Sequence, residues 1–368
     1  MKKSKILLII CLVLSLFGCS NKLELNNVSI ERQPIFGGIY IHSTIEEFNK
    51  LGFEYGDSLD FSFSNGFELT DIPYYDGFYV RDGGHLLVAY PGYPYVCLSI
   101  CSGGCMYDYT GVDDNQTVNI KLNEKGKYKD VQNVLKMVYS NDRNDYESDE
   151  VFANFRSIEG GNLMPNLLYR SASPCDNQYN RATYTDKLLK KYNIQTILDI
   201  TDTIEETDDY YNDSNLDCPN WKNIYESGHV FTQEFSANYN SDDYKNKIKN
   251  LVETIIISDG PYLVHCTEGK DRTGFVCMLL ESIMGFSKQE VIDDYMKTYD
   301  NYYGISKDFD SDKYDIVVNV KTVGNIECLT SSSGSIQEGA KEYLLDCGLT
   351  NDDINKLIAK LSNVYGER

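Results

Sequence analysis

Tyr262-Leu263-Val264-His265-Cys266-Thr267-Glu268-Gly269-Lys270-Asp271-Arg272-Thr273-Gly274 is the stretch on which the reading of this chain turns. It opens with a short apolar run suited to a buried strand. Phe275, Val276, Leu279, Leu280 and Ile283, just beyond it, have the spacing of one helix face. A loop this short between strand and helix points successive backbone N–H groups into one concavity. The positive end of the helix dipole stands behind that concavity, so the loop is an anion site.

The side chains suit a phosphate ester. The guanidinium of Arg272 can give two parallel hydrogen bonds to the equatorial oxygens of a phosphate dianion, a fork that lysine lacks. The same positive field favours the thiolate of Cys266 over the thiol, which makes Cys266 the nucleophile. Thr267, Glu268, Gly269, Lys270, Asp271 and Arg272 then form the phosphate cradle, with Gly269 at the turn. The hydroxyl of Thr273 is placed to stabilise the thiolate as it leaves a phosphoenzyme, and His265 is read as an orienting residue, not a base. A cysteine followed six residues later by arginine is a weak signal alone. Here the strand, the preceding histidine, the internal glycine, the Thr-Gly and the helix all agree. The expected reaction is hydrolysis of phosphate monoesters through a cysteinyl-phosphate intermediate, with no metal and no cofactor.

Upstream, strand-like and helix-like stretches alternate: Leu167-Leu168-Tyr169, a helix around Asp186 to Tyr192, Thr196 to Asp199, and a helix from Asp242 to Ile257. That alternation predicts an α/β layer structure. Ser287 with Glu290, and Thr350 with Asp353, predict two further helix starts with capping boxes.

His-Cys-x-x-Gly-Lys-Asp-Arg-Thr-Gly resembles the phosphate-binding loop of the cysteine-dependent protein tyrosine phosphatases, in particular the bacterial secreted tyrosine and dual-specificity branch. Asn154-Phe155-Arg156, Gly160-Gly161, Leu168-Tyr169-Arg170-Ser171 and Ile197-Leu198-Asp199 follow the order of that branch upstream of its loop. The resemblance spans roughly residues 150 to 367. It implies a central sheet flanked by helices and a phosphorylated protein or small phosphate ester as partner, on phosphotyrosine and also phosphoserine or phosphothreonine. Two positions depart from it. Glu268 stands where the branch has a small neutral residue, and a carboxylate beside a dianion weakens binding unless it turns to solvent; Thr201 stands where the branch commonly has arginine.

Breakdown of the ester needs a proton for the leaving oxygen. The resemblance implies Asp271 for that role, and Asp199 and Asp202, after the preceding strand, are the alternative. Either aspartate could instead fix the loop or pair with Arg170, which itself either lines the pocket or ties the loop to the fold. Lys270 adds positive charge to the rim and keeps inositol phosphates or phosphoinositides open as substrates. A surface module that binds phosphorylated ligands and turns them over poorly is the competing reading from another class. A rhodanese-like sulfur transferase is a third, disfavoured by the longer spacing from Cys266 to Arg272.

Towards the N-terminus, Leu59, Phe61 and Phe63 alternate up to Asn65-Gly66, a hairpin signal, and Phe67 and Leu69 resume beyond it. Val118, Ile120 and Leu122 predict another strand. Residues 38–127 are therefore expected as a small β-rich domain, residues 128–150 as helix and linker, and residues 151–368 as the catalytic domain. Tyr74, Tyr75, Phe78, Tyr79, Tyr90, Tyr93 and Tyr95 are read as core and turn packing. Lys2, Lys3 and Lys5 precede an apolar run too short for a comfortable membrane span, which has the form of a secretory signal over residues 1–19. Leu16-Phe17-Gly18-Cys19 resembles a bacterial lipobox, which implies lipid attachment at Cys19, a tether over residues 20–37, and an extracytoplasmic lipoprotein touching the membrane only through that anchor.

The 368 residues allow two domains. A formal net charge of −22, from 34 basic and 56 acidic residues, argues against a nucleic-acid surface or a polybasic lipid-binding face, so any anion must be met locally. Of the eleven cysteines, the run Cys97, Cys101, Cys105 matches no common zinc spacing.

Overall fold

A computed structural model describes residues 23–236 and 238–362. The expected secretory signal over residues 1–19 and the expected lipid attachment at Cys19 lie outside the described residues. The chain forms a closed β-barrel followed by an α/β body.

The α/β body is built on a five-stranded sheet in the order β11-β10-β12-β9-β8. Its strands are β8 (Arg156–Ser157), β9 (Leu168–Ser171), β10 (Thr196–Asp199), β11 (Val230–Thr232) and β12 (Tyr262–His265). All neighbours are parallel except β8, which pairs antiparallel with β9. Alternate strand residues face two separate cores. Leu168, Leu198 and Val264 meet the helices Asp242–Ile257 and Asp271–Ile283 on one face; Tyr169, Ile197 and Leu263 meet the helix Ala182–Lys191 and Trp221 on the other. Burial on both faces explains why apolar residues stand next to one another in these strands, as at Leu168-Tyr169, Ile197-Leu198 and Leu263-Val264, where a one-sided sheet would alternate them with polar ones. Both predicted capping boxes form, at Ser287 and Glu290 and at Thr350 and Asp353.

The barrel closes in the order β1-β2-β6-β5-β4-β3-β7. Its strands are β1 (Glu24–Arg32), β2 (Ile39–Ile41), β3 (Ser58–Phe63), β4 (Glu68–Tyr75), β5 (His85–Val88), β6 (Val96–Ile100) and β7 (Thr117–Glu124). The Asn65-Gly66 turn joins β3 to β4, and Leu59, Phe61 and Phe63 point into the barrel core. Residues 24–32, expected within the tether, are instead a strand that pairs with β2 and β7 and completes the closure. Tyr74 and Tyr75 are buried, as packing predicts, whereas Tyr90 is exposed. The cysteines among the described residues are free thiols.

The helix Lys129–Leu135 leads from the barrel to the α/β body. The segment after it is stapled by the buried Arg181, whose guanidinium donates to the carbonyl of Ser140 at 3.0 Å, to Asn141 at 2.8 Å and to the carbonyl of Phe152 at 2.9 Å.

Candidate active site

The C-terminal ends of β9, β10 and β12 lie side by side, with Ser171, His265 and Asp199 in register. In an open parallel sheet this edge is where ligands bind. Cys266 follows β12 directly and is 3% exposed, and the helix Asp271–Ile283 begins five residues later.

The loop's peptide orientation follows from where its carbonyls go. Thr267 O accepts from Ser173 N at 3.2 Å, Glu268 O from the Tyr302 hydroxyl at 2.7 Å, and Gly269 O from Asn154 Nδ2 at 3.1 Å and Arg170 Nη2 at 2.9 Å. Lys270 O receives the helix bond from Gly274 N at 2.9 Å. Four successive carbonyls thus face the scaffold, and among the described residues the N–H groups of residues 267–270 find no acceptor. Successive N–H groups turned the same way at the start of a helix suit an anion in the concavity. Gly269 sits at φ 65°, and a Cβ there would come 2.2 Å from Ser171 O, so the turn requires glycine.

Behind the loop is a buried ionic scaffold. Arg170 Nη1 pairs with Asp294 Oδ2 at 2.5 Å, Arg156 Nε pairs with Asp294 Oδ1 at 2.8 Å, and Arg156 Nη1 donates to Asn154 Oδ1 at 2.7 Å. Burial pushes the Asp294 carboxyl up, but Arg156 and Arg170 outweigh it and hold Asp294 well below the usual carboxylate range. Of the two readings of Arg170, the structure has the second: it grips the loop from outside and does not line the pocket. Asn154, Tyr302 and Asp294 were not singled out for the site by sequence reasoning, although the Asn154-Phe155-Arg156 block was a visible signal.

Inside the concavity, Arg272 donates to the Thr267 hydroxyl at 3.3 Å and makes no ion pair among the described residues. Thr273 is buried and its hydroxyl finds no partner among the described residues, the Cys266 sulfur included. His265 is sealed under the loop, and neither ring nitrogen reaches hydrogen-bond geometry among the described residues. Burial pushes its pKa down to about 4 against the opposing pull of Asp202, so the ring is neutral. Glu268 is turned from the cradle and accepts from Tyr139 and Lys270.

The three candidate acids differ. Asp271 is open to solvent although protein surrounds it, the situation of a group on a pocket wall. That crowding pushes its carboxyl up, but Lys270, Lys321, the Tyr295 hydroxyl at 3.0 Å and Arg272 together bring it below the usual range. Asp199 and Asp202 are 1% and 6% exposed. Burial raises Asp199 to about 6; burial and then Asp199 raise Asp202 to about 8, so the pair retains a proton near neutrality. Asp199 Oδ1 accepts from the backbone N–H groups of Thr201 and Asp202 at 3.0 and 3.2 Å, and Thr201 Oγ1 lies 3.2 Å from Thr267 Oγ1. The pair thus shapes the turn beside the loop. Among the described residues no cluster of His, Cys, Asp and Glu side chains is arranged to hold a metal ion.

Residues 150–363 match the family model described as the tyrosine phosphatase family. A stretch of 74 residues is 30% identical to triple specificity protein phosphatase PtpB of Mycobacterium tuberculosis (strain ATCC 25618 / H37Rv), covering 18% of this chain and 27% of that protein. The chain therefore spans about a quarter of the length of that relative. Among solved structures, the core catalytic domain of the PP-IP phosphatase SIW14 from S. cerevisiae, in complex with citrate, is 18% identical with a TM-score of 0.28, over 45% of this chain and 90% of that one. P. aeruginosa TpbA is 16% identical with a TM-score of 0.28, over 52% of this chain and 96% of that one.

Proposed function

Because the chain belongs to the tyrosine phosphatase family, we propose that it hydrolyses phosphate monoesters, phosphotyrosine first among them, through a phosphocysteine at position 266. The observation that carries this reading is the set of loop amides that find no acceptor among the described residues, gathered between Cys266 and Arg272 at the start of a helix.

The phosphoryl group enters with its oxygens on the amides of residues 267–270 and on the Arg272 guanidinium. Cys266 Sγ attacks phosphorus from below, the P–S bond forms as the P–O bond of the ester breaks, and Asp271 gives its proton to the departing oxygen. The arriving dianion opposes the cations that keep Asp271 ionised in the empty site, so substrate itself favours the protonated acid. Water then attacks phosphorus, Asp271 takes back a proton, the P–S bond breaks, and the Thr273 hydroxyl stands ready to meet the returning thiolate. The amides and Arg272 hold the equatorial oxygens throughout, where transition-state charge is spread.

The test uses an aryl phosphate with a chelator present. Wild-type protein is expected to turn over and to be blocked by vanadate, and Cys266→Ser to lose at least about a thousandfold in kcat. Turnover undiminished by that substitution would end the reading.

A further inference from the structure

Glu268 brings a carboxylate into the phosphate loop, and its surroundings explain how the site accommodates it. Tyr139, from the segment joining barrel to α/β body, stacks on Tyr302 with ring centroids 4.6 Å apart, and the Arg181 guanidinium lies 4.7 Å from its ring centre. Its hydroxyl is thereby fixed, and it donates to Glu268 Oε1 at 2.5 Å. The same oxygen accepts from Lys270 Nζ at 3.1 Å, and Lys270 otherwise reaches only the Tyr303 hydroxyl at 3.4 Å among the described residues. The Lys270 and Glu268 side chains are 14% and 24% exposed, so the pair is only weakly screened.

The consequence is that Lys270, the cation that the loop itself contributes beside Arg272, is already engaged. A monophosphate ester needs only the amides and Arg272. A substrate with further phosphates needs another cation at the rim, and on the Lys270 side it would meet the Glu268 carboxylate instead. We propose that Glu268, held by Tyr139 and paired with Lys270, is a specificity-determining residue that restricts the site to esters carrying one phosphate and rejects polyphosphorylated ones. This rests on the phosphatase reading and deepens it.

The experiment compares kcat/KM for a phosphotyrosyl peptide and for inositol hexakisphosphate in wild type, Glu268→Gln, Tyr139→Phe and the double variant Glu268→Gln with Lys270→Met. Wild type is expected to favour the peptide. Glu268→Gln should shift the ratio at least about tenfold towards the inositol phosphate, Tyr139→Phe should shift it the same way by less, and loss of Lys270 should cancel the gain. The same ratio read as Kd on a Cys266→Ser background serves for a variant too slow to assay. An unmoved ratio in a variant that melts like wild type, or a gain that survives loss of Lys270, overturns the proposal. Absence of wild-type turnover on both substrates would instead overturn the phosphatase reading beneath it.

Discussion

A leaving alkoxide or phenoxide takes its proton from a group it can touch. Asp271 is open to solvent at the start of the helix that follows the loop, while Asp199 and Asp202 are buried in the turn beside the loop and retain a proton near neutrality. Access, more than resting charge, separates them, because substrate can raise the acid's affinity for a proton but cannot open a buried turn. Asp271→Asn is therefore expected to lower kcat by about a hundredfold or more with little change in KM, and to cost least with a good leaving group such as p-nitrophenolate. Steady-state kinetics on p-nitrophenyl phosphate and a phosphoserine peptide checks this; an equal loss on both substrates would assign Asp271 a structural part. Cys266, Arg272 and Gly269 were legible in sequence because strand, loop and helix are local patterns. The fate of Glu268 was not, because Tyr139 lies 129 positions away and only tertiary packing brings it in.

At the scale of elements, the loop is shaped less by its own residues than by donors that hold its carbonyls. These arrive from β9, from the turn ahead of β8 and from the helix Lys288–Tyr303. Asn154 ties the loop to its supports, donating to Gly269 O and the Thr298 hydroxyl and accepting from Arg156 and Asn301. It also sits at φ 51°, so alanine there would add backbone strain. Asn154→Gly avoids that strain and isolates the hydrogen bonds. It is expected to cost about 1–3 kcal/mol in chemical denaturation and to weaken vanadate inhibition, since freed carbonyls let the amides turn out of the cradle. Unchanged vanadate affinity would show that the loop holds its shape unaided. Such clamps were invisible to periodicity: a lone Arg170 in an apolar strand fits a pocket lining as well as a support, and Asp294, its partner, lies 124 residues on.

At the scale of the molecule, barrel and α/β body have their own cores, and part of the barrel could not be read in advance. β1 hides its alternation: a register shift between Leu25 and Val28, with Asn27 at φ 56°, spaces its inward residues by three where a regular strand spaces them by two. Burial of the Asp199–Asp202 pair sets a pH dependence for the whole fold. Both carboxyls have folded pKa values above the unfolded value of about 3.9, so the folded state holds the extra proton. Their contribution to stability is complete below about pH 4 and is lost as pH rises through about 6 and about 8. Asp202→Asn should gain on wild type over that window, by on the order of 2–4 kcal/mol at its upper end, in thermal melts taken from pH 5 to about 8.5. A constant difference across the window would mean that the pair is not protonated in the folded protein.

Hydrolysis through a phosphocysteine leaves a covalent species that can be trapped. Acid quench of Asp271→Asn during turnover of an aryl phosphate, followed by peptide mapping, should find one phosphoryl group on the peptide containing Cys266, in an adduct that is lost when Cys266 is replaced by serine. Steady turnover with no phosphopeptide in the burst phase, or phosphate carried on any other residue, would contradict the account.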